Sequence, residues 1–428
     1  SVFNDLNHSQ QATKDYVKRV TEYWIQEYKI DGFRWDLTKG FTQNCTSNDD
    51  SCTNNFQQDR VDVLKEYADI QWNSDPDFYI IFEHLGTNNE ETQWVNYRLS
   101  EGKGIMVWGN HNTNYNQATM GFSDNTDFSW ISYKNRGWSV PANVSYMESH
   151  DEERLMYKNL QYGNSNGSYD IQNLPTALDR IELASAFYMT VPGPKMIWQF
   201  GELGYDYSID YNGRVGNKPI LWNYFEEQDR KDLYDTFAKL IKLKLNYEIF
   251  ETSDFTLDVA NINGLKRIHL TDASASEIQA VLILGNFGVT TQNIIPNFQE
   301  SGNWFNVLAD NEVLNVTNVA QEITLQAGEF KVYANMPATL SNENFSADEE
   351  NFITLFPNPT TTTTTSFSLS EEVLAVSVFN IQGKRVKKYT PESIANNTYL
   401  IADLNQGIYF VRIENAMKQF LIRKLIIK

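Results

Sequence analysis

Three short stretches place acids where an apolar run gives way to a polar one: Arg34-Trp35-Asp36, Phe82-Glu83-His84 and Glu148-Ser149-His150-Asp151-Glu152. Paired carboxyls of this kind suit acetal cleavage, in which one ionised acid attacks or stabilises a cation-like carbon and a protonated partner gives its proton to the departing oxygen. In the retaining form of that chemistry the two groups stand ~5 Å apart. Asp36 and Glu83 are one helix-and-loop length apart, as successive strand ends would be. A lone acid at a strand end is also an ordinary helix cap, so the spacing permits the pairing without establishing it. Arg34 lies two residues before Asp36, and a strand's period of two puts both side chains on one face. A guanidinium there keeps Asp36 ionised and oriented, as a nucleophile requires. The same Arg-x-Asp pattern serves a structural ion pair equally well.

The elements that must carry these residues alternate along the chain. Apolar residues at helical spacing predict a helix over Ser9 to Tyr28, with Ser9 as a cap candidate, followed by a short strand from Ile30 to Asp36. A second helix runs from Asp59 through Leu64 and Tyr67 towards the strand Phe78 to Phe82, which ends in Glu83. Further strands are expected at Gly104 to Trp108, Val144 to Met147 and Lys195 to Phe200, with a helix over Ala177 to Met189. Alternating helix and buried strand implies a parallel sheet, and such sheets gather their chemistry at the C-terminal strand ends. One pocket is thus expected to hold all three acids. After about Phe250 the texture changes to short segments such as Ile278 to Asn286 and Glu322 to Val332, which read as an all-β sandwich. A polar linker, Ser341 to Asn351, leads to a last segment with a threonine run at Thr360 to Thr365. Strands are expected there at Val373 to Phe379, Arg385 to Tyr389 and Gly407 to Ile413.

Composition narrows the function classes. The 428 residues suffice for two or three domains, and 41% hydrophobic with 21% charged residues is ordinary globular usage. No apolar run of ~18 residues is present to span a bilayer as a helix. A net charge of −20 repels polyphosphate backbones and argues against nucleic acid as a partner. The 14% aromatic content fits core packing better than stacking on sugars, although it serves both. Cys45 and Cys52 are the two cysteines, in a polar stretch, and the favoured reading is a loop disulfide in an oxidising compartment, the alternative being two free thiols. With no initiator Met and no charged-then-apolar leader, any signal peptide lies outside this sequence, which reads as a mature product or a fragment.

Asp31-Gly32-Phe33-Arg34-Trp35-Asp36-Leu37-Thr38-Lys39, Phe82-Glu83-His84 and Glu148-Ser149-His150-Asp151-Glu152 resemble, in order, three successive signature regions of the α-amylase family, glycoside hydrolase family 13. Gly201-Glu202-Leu203-Gly204 resembles that family's final region. The resemblance implies an α/β fold, a partial (β/α)8 TIM barrel followed by all-β sandwich domains. The expected organisation is residues 1–250 for the barrel, 251–340 for a β-sandwich, 341–352 for a linker and 353–428 for a C-terminal β-sandwich. It further implies Asp36 as nucleophile, Glu83 as general acid and then base, and Asp151 as the third carboxylate, which binds sugar hydroxyls and helps distort the ring. His150 would bind hydroxyls of the same sugar, Arg34 would orient Asp36, and Lys39 would face the leaving side. Glu83 must then hold its proton through burial and the negative charge of Asp36 and Asp151.

Departures from the family pattern matter too. Gly40 stands where many members have His after the motif lysine, which removes a side-chain contact but leaves a backbone carbonyl for a calcium ion. No organic cofactor is implied. Ser149 stands where Asn often precedes the His-Asp pair, and that region is also similar to the one in glycogen branching enzymes. The family's first signature region should lie well upstream of Arg34, and Asn7-His8 sits too close to it, so Asp5-Leu6-Asn7 reads as a loop and cap. The chain is therefore expected to start after the third barrel strand and to hold about five of eight strands. A barrel so cut leaves edges uncovered, and an isolated fragment would be unstable or inactive.

Leu355-Phe356-Pro357-Asn358-Pro359, Leu404 to Ile413 and the ending Arg423 to Lys428 resemble the sorting domain of the type IX secretion system of Bacteroidetes. This implies a secreted or cell-surface protein, with the secretion machinery as one partner and an α-glucan poly- or oligosaccharide as the other. The leading functional expectation is a retaining α-amylase cleaving internal α-1,4 bonds of starch, glycogen or maltooligosaccharides through a covalent glycosyl-enzyme. The alternatives are a branching or transglycosylating enzyme and a non-catalytic glucan-binding surface protein.

Overall fold

The computed structural model describes residues 6–46, 48–340, 355, 357–360, 365–368, 373–380, 384–389, 398–415 and 420–428. The expected linker, most of the threonine run, Asp5 and Phe356 lie outside the described residues. The chain divides into two compact units, Ser1–Ala338 and Thr339–Lys428.

The first unit opens with α1 (Gln11–Tyr28), β1 (Gly32–Trp35), α2 (Asp50–Asn54) and α3 (Gln58–Ser74). It continues with β2 (Tyr79–Phe82), α4 (Asn88–Val95), β3 (Met106–Asn110), α5 (Asn112–Thr119), β4 (Asn143–Tyr146) and α6 (Leu155–Tyr162). A two-stranded hairpin, β5 (Ser165–Asn166) and β6 (Tyr169–Asp170), precedes α7 (Leu174–Met189), β7 (Lys195–Met196) and α8 (Gln228–Asn246). The five strands β1-β2-β3-β4-β7 lie side by side in chain order, all parallel, as the alternation of helix and strand requires. Under β1 and β2, Val61, Leu64, Tyr67 and Ala68 of α3 pack with Phe78, Ile80, Phe82 and Trp94. Gly32 lies so close to Tyr79 that a Cβ there would sit 2.7 Å from the tyrosine's own Cβ, which fixes how tightly the first two strands pair.

Three local expectations are corrected. Ser9 is not the cap of α1: its hydroxyl donates to Asn7 Oδ1 at 2.6 Å, and the helix starts after Gln10 with no side-chain cap bond. The strand expected over Gly104 to Trp108 lies two residues later, because Gly104 is in the left-handed region with φ +155. The strand expected over Lys195 to Phe200 keeps only Lys195–Met196, since Phe200 has φ 62 and leads into the tight turn Gly201–Leu203.

The rest of the first unit is antiparallel. A six-stranded sheet runs β13-β12-β15-β10-β9-β8, and β11 pairs with β14. These strands are β8 (Phe255–Asp258), β9 (Leu265–Thr271), β10 (Ala280–Asn286), β11 (Gln292–Ile294), β12 (Gly302–Asn306), β13 (Glu312–Val316), β14 (Ile323–Leu325) and β15 (Phe330–Ala334). Every residue of β10 is buried, so it lacks the alternation of a half-exposed strand. One face joins the core of Phe298, Trp304 and Tyr333, and the other meets α7, where a Cβ on Gly285 would lie 2.5 Å from the Phe187 ring.

The second unit has a four-stranded antiparallel sheet, order β18-β17-β20-β21, and the pair β16-β19. These are β16 (Thr365–Ser368), β17 (Val373–Asn380), β18 (Arg385–Tyr389), β19 (Thr398–Ile401), β20 (Gly407–Asn415) and β21 (Phe420–Ile427). Its core collects Leu355, Val376, Val378, Ile401, Leu404, Tyr409, Val411, Ile413, Leu425 and Ile427. Among the described residues no helix is long and apolar enough to cross a membrane.

Candidate active site

Asp36 and Glu83 each follow the last residue of a strand, and parallel register brings them level. Trp35 pairs with Phe82, and the ladder continues through the Glu83 amide to the Trp35 carbonyl at 2.9 Å. The two carboxyls are close enough for each to shift the titration of the other. Arg34 spans both, its guanidinium donating to Asp36 Oδ1 at 2.9 Å and to Glu83 Oε2 at 2.7 Å. Beneath it, Trp108 of β3 presents its ring 5.2 Å from the guanidinium carbon, which fixes the fork's plane.

The environments of the two acids differ. The Glu83 side chain is 12% exposed and the Asp36 side chain 77%. Burial, with Asp36 beside it, pushes the Glu83 carboxyl up to about 7, against the Leu37 N–H (3.2 Å to Oε2) and the Arg34 charge. For Asp36 burial also pushes upward, but hydrogen bonds from Glu83 and Arg34 and the charges of Arg34 and His150 outweigh it and hold the group below its ordinary value. Below about pH 7 this pair is one acid and one carboxylate, with the proton on Glu83.

Asp151 comes from the loop after β4. Its carboxylate meets His150 Nε2 at 3.2 Å, and that imidazole stands over Trp198 with centroids 5.7 Å apart. The charge of His150 acts on Asp36, and the Tyr146 phenol is pushed up by burial and by the charges of Glu152, Glu83 and Asp151, yet the cleft that Asp151 lines is bordered by neither Asp36 nor Glu83. That cleft, of about 470 Å³, is lined as well by Asn112, Glu152, Glu153, Tyr157 and Arg214. The loop is held by its own contacts: Glu152 accepts from Asn110 at 2.6 Å and Tyr146 at 3.2 Å, and Arg154 donates to the Ser149 carbonyl.

Lys39 stands apart from the pair. Its ammonium donates to Asn54 Oδ1 at 2.8 Å, and burial and the Arg60 charge lower its pKa. The Cys45–Cys52 disulfide, as the spacing of the two cysteines suggested, closes the loop that leads into α2, whose last residue is Asn54. Around Gly40, the Lys39, Thr53 and Asn55 carbonyls all accept from Arg60, and among the described residues no three His, Cys, Asp or Glu side chains converge as a metal site. No chemical step is assigned to a calcium ion.

Sequence reasoning missed Thr38, Arg60, Glu90, Tyr146 and Glu152. One signal was available for Arg60: it shares the core-facing stripe of α3 with Leu64 and Tyr67, where an unpaired charge would be intolerable.

A parallel β/α sheet with an acid–carboxylate pair at its C-terminal rim defines the class of barrel enzymes that work at strand ends. Residues 1–242 match the model of the α-amylase catalytic domain, and the chain belongs to that family. Residues 354–428 match the secretion-system C-terminal sorting domain, which makes this a secreted or cell-surface protein. It is similar to α-amylase 3 of Dictyoglomus thermophilum, 19% identical over 74% of this chain and 60% of that one. It is also similar to a cyclomaltodextrinase of a Bacillus species, 23% identical over 65% and 43% of the two chains. The chain thus spans between two fifths and two thirds of the length of these relatives. Among solved structures, CldA, a cyclomaltodextrin glucanotransferase, superposes with a TM-score of 0.58 at 16% identity, covering 79% of this chain and 63% of its own, a likeness of fold.

Proposed function

We propose that the protein is a retaining α-glucan hydrolase that cleaves internal α-1,4 bonds of starch, glycogen or maltooligosaccharides. The observation that carries this reading is the Asp36–Glu83 pair, in which Glu83 keeps a proton near neutral pH while Asp36 stays ionised under Arg34. An Asp36 oxygen attacks the anomeric carbon as the Glu83 proton passes to the glycosidic oxygen, whose bond to that carbon breaks. Glu83, now a carboxylate, takes a proton from water, and the hydroxide oxygen displaces Asp36 from the glycosyl-enzyme. One Arg34 guanidinium bonding both acids holds them close together, which favours retention, because an inverting site holds its carboxyls ~6.5–9.5 Å apart to admit a water. Asp151 and His150 bind hydroxyls of the reacting sugar, Arg34 orients the pair, and Lys39, released from Asn54, faces the leaving side.

Product analysis on amylose tests this. New reducing ends with retained α-configuration, abolished by Asp36→Asn while glucan binding stays measurable, are the expected result. Chain transfer without new reducing ends would make the protein a branching or transglycosylating enzyme. Starch binding without cleavage, unaltered by Glu83→Gln, would make it a non-catalytic binder.

A further inference from the structure

Behind Glu83 lies a buried chain of polar groups that the proposed chemistry does not use. His84, the next residue, is 1% exposed, and Thr38, Glu90 and Arg60 are fully buried. His84 Nε2 is 3.1 Å from Glu90 Oε2, and its Nδ1 is 3.2 Å from the Thr38 hydroxyl. That hydroxyl lies 2.9 Å from the Glu83 carbonyl, which also accepts from the Thr38 amide at 2.9 Å. The two oxygens of Glu90 accept from Nε and Nη2 along one edge of the Arg60 guanidinium, at 2.7 Å each. The remaining Arg60 N–H groups reach the carbonyls of Lys39, Thr53 and Asn55.

Burial lowers the His84 pKa against the pull of Glu90, which favours the neutral ring with Nε2–H donating to Glu90; the one Thr38 O–H, donated to the Glu83 carbonyl, is then shared with the Nδ1 lone pair. The chain backbone folds around this ring: Leu85 has φ 52, and a Cβ on Gly86 would lie 2.3 Å from Nε2. Four buried polar groups are costly to assemble without a gain elsewhere. They converge on one peptide unit, the one that aims the Glu83 side chain.

We propose that Thr38 and His84, anchored by the Glu90–Arg60 pair, are positioning residues for Glu83: they fix its peptide plane and hence the line of proton delivery to the departing oxygen. This rests on Glu83 being the acid of the proposed function. The bond-breaking half of the reaction depends on that proton only when the leaving group is a poor one, and kcat/KM reports that half alone. A residue that merely supports the fold affects all substrates alike.

The test compares kcat/KM of the complete enzyme on maltopentaose and on a 2,4-dinitrophenyl α-maltoside, whose phenolate departs without a proton. Thr38→Val removes the hydroxyl at constant shape and is expected to lower the maltopentaose value about 10- to 100-fold, with the dinitrophenyl value within about threefold. Thr38→Ser is expected to restore most of the loss. His84→Gln, which keeps an N–H towards Glu90, is expected to show the same split and covers the case in which the valine variant unfolds. Equal losses on both substrates, or no rescue by serine, would overturn the positioning role and leave the glycosidase reading intact. A wild-type enzyme inert on both substrates would remove the glycosidase reading and this proposal together.

Discussion

Replacing Arg34 by methionine tests the electrostatic reasoning at the acid pair most directly. One guanidinium bonds both carboxyls, at 2.9 Å to Asp36 and 2.7 Å to Glu83, and favours the ionised form of each. Its removal must raise both pKa values, so the two limbs of the bell-shaped kcat/KM profile move to higher pH. A hydrogen bond to a charged partner is worth about 1.5–3 kcal/mol, and 1.36 kcal/mol corresponds to about one pKa unit. For Glu83, whose side chain is only 12% exposed, the alkaline limb, near pH 7 in the wild type, is expected to rise by about one to two units. Asp36 is open to solvent, which screens the lost charge, so the acid limb moves less and the profile broadens upward. The plateau falls because Asp36 loses the donor that orients it. Reducing-end release from maltopentaose between pH 3 and 10 measures both limbs, which belong to the coupled pair rather than to single residues. An alkaline limb that stays in place or moves down would refute the assignment of the shared proton to Glu83.

Glu83→Gln, which keeps shape and loses the proton, is expected to cost about 10²- to 10⁴-fold in kcat/KM on maltopentaose while initial rates on the dinitrophenyl maltoside persist. Replacing Cys45 and Cys52 together by serine opens a short loop and is expected to cost about 2–3 kcal/mol in a denaturant titration. Gly285→Ala drives a methyl group against Phe187 and Leu183 at the α7–β10 contact and is expected to lower stability by about 1–3 kcal/mol, read as a fall in Tm with substrate kinetics unchanged.

Much of the scaffold was legible because the relevant signals are local. The helical stripe of α3, the apolar run Tyr79–Phe82 and the acids that follow each strand are properties of short stretches, and their alternation leaves a parallel sheet as the economical solution. Element ends were less legible. The true start of β3 depends on the backbone turn at Gly104, and the early end of β7 on Phe200 adopting φ 62. Strand β10 hid its double burial because a run buried on both faces carries no periodicity, and only the packing of α7 on one side and Trp304 on the other explains it.

At the site the division falls along the same line. Strand period and strand-end position, set by the chain itself, pointed to Arg34, Asp36 and Glu83, whereas His150 and Asp151 took their expected roles from the family resemblance alone. Which acid holds the proton was not in the sequence, since two carboxyls of similar intrinsic pKa separate only when one is buried and the other solvated. Nor could the sequence show that Lys39 bonds to Asn54, or that Arg60 and Glu90, thirty residues apart, close a buried chain behind Glu83. Those contacts join segments remote in the chain, and their strength comes from exclusion of water, which exists only once the sheet and helices have packed.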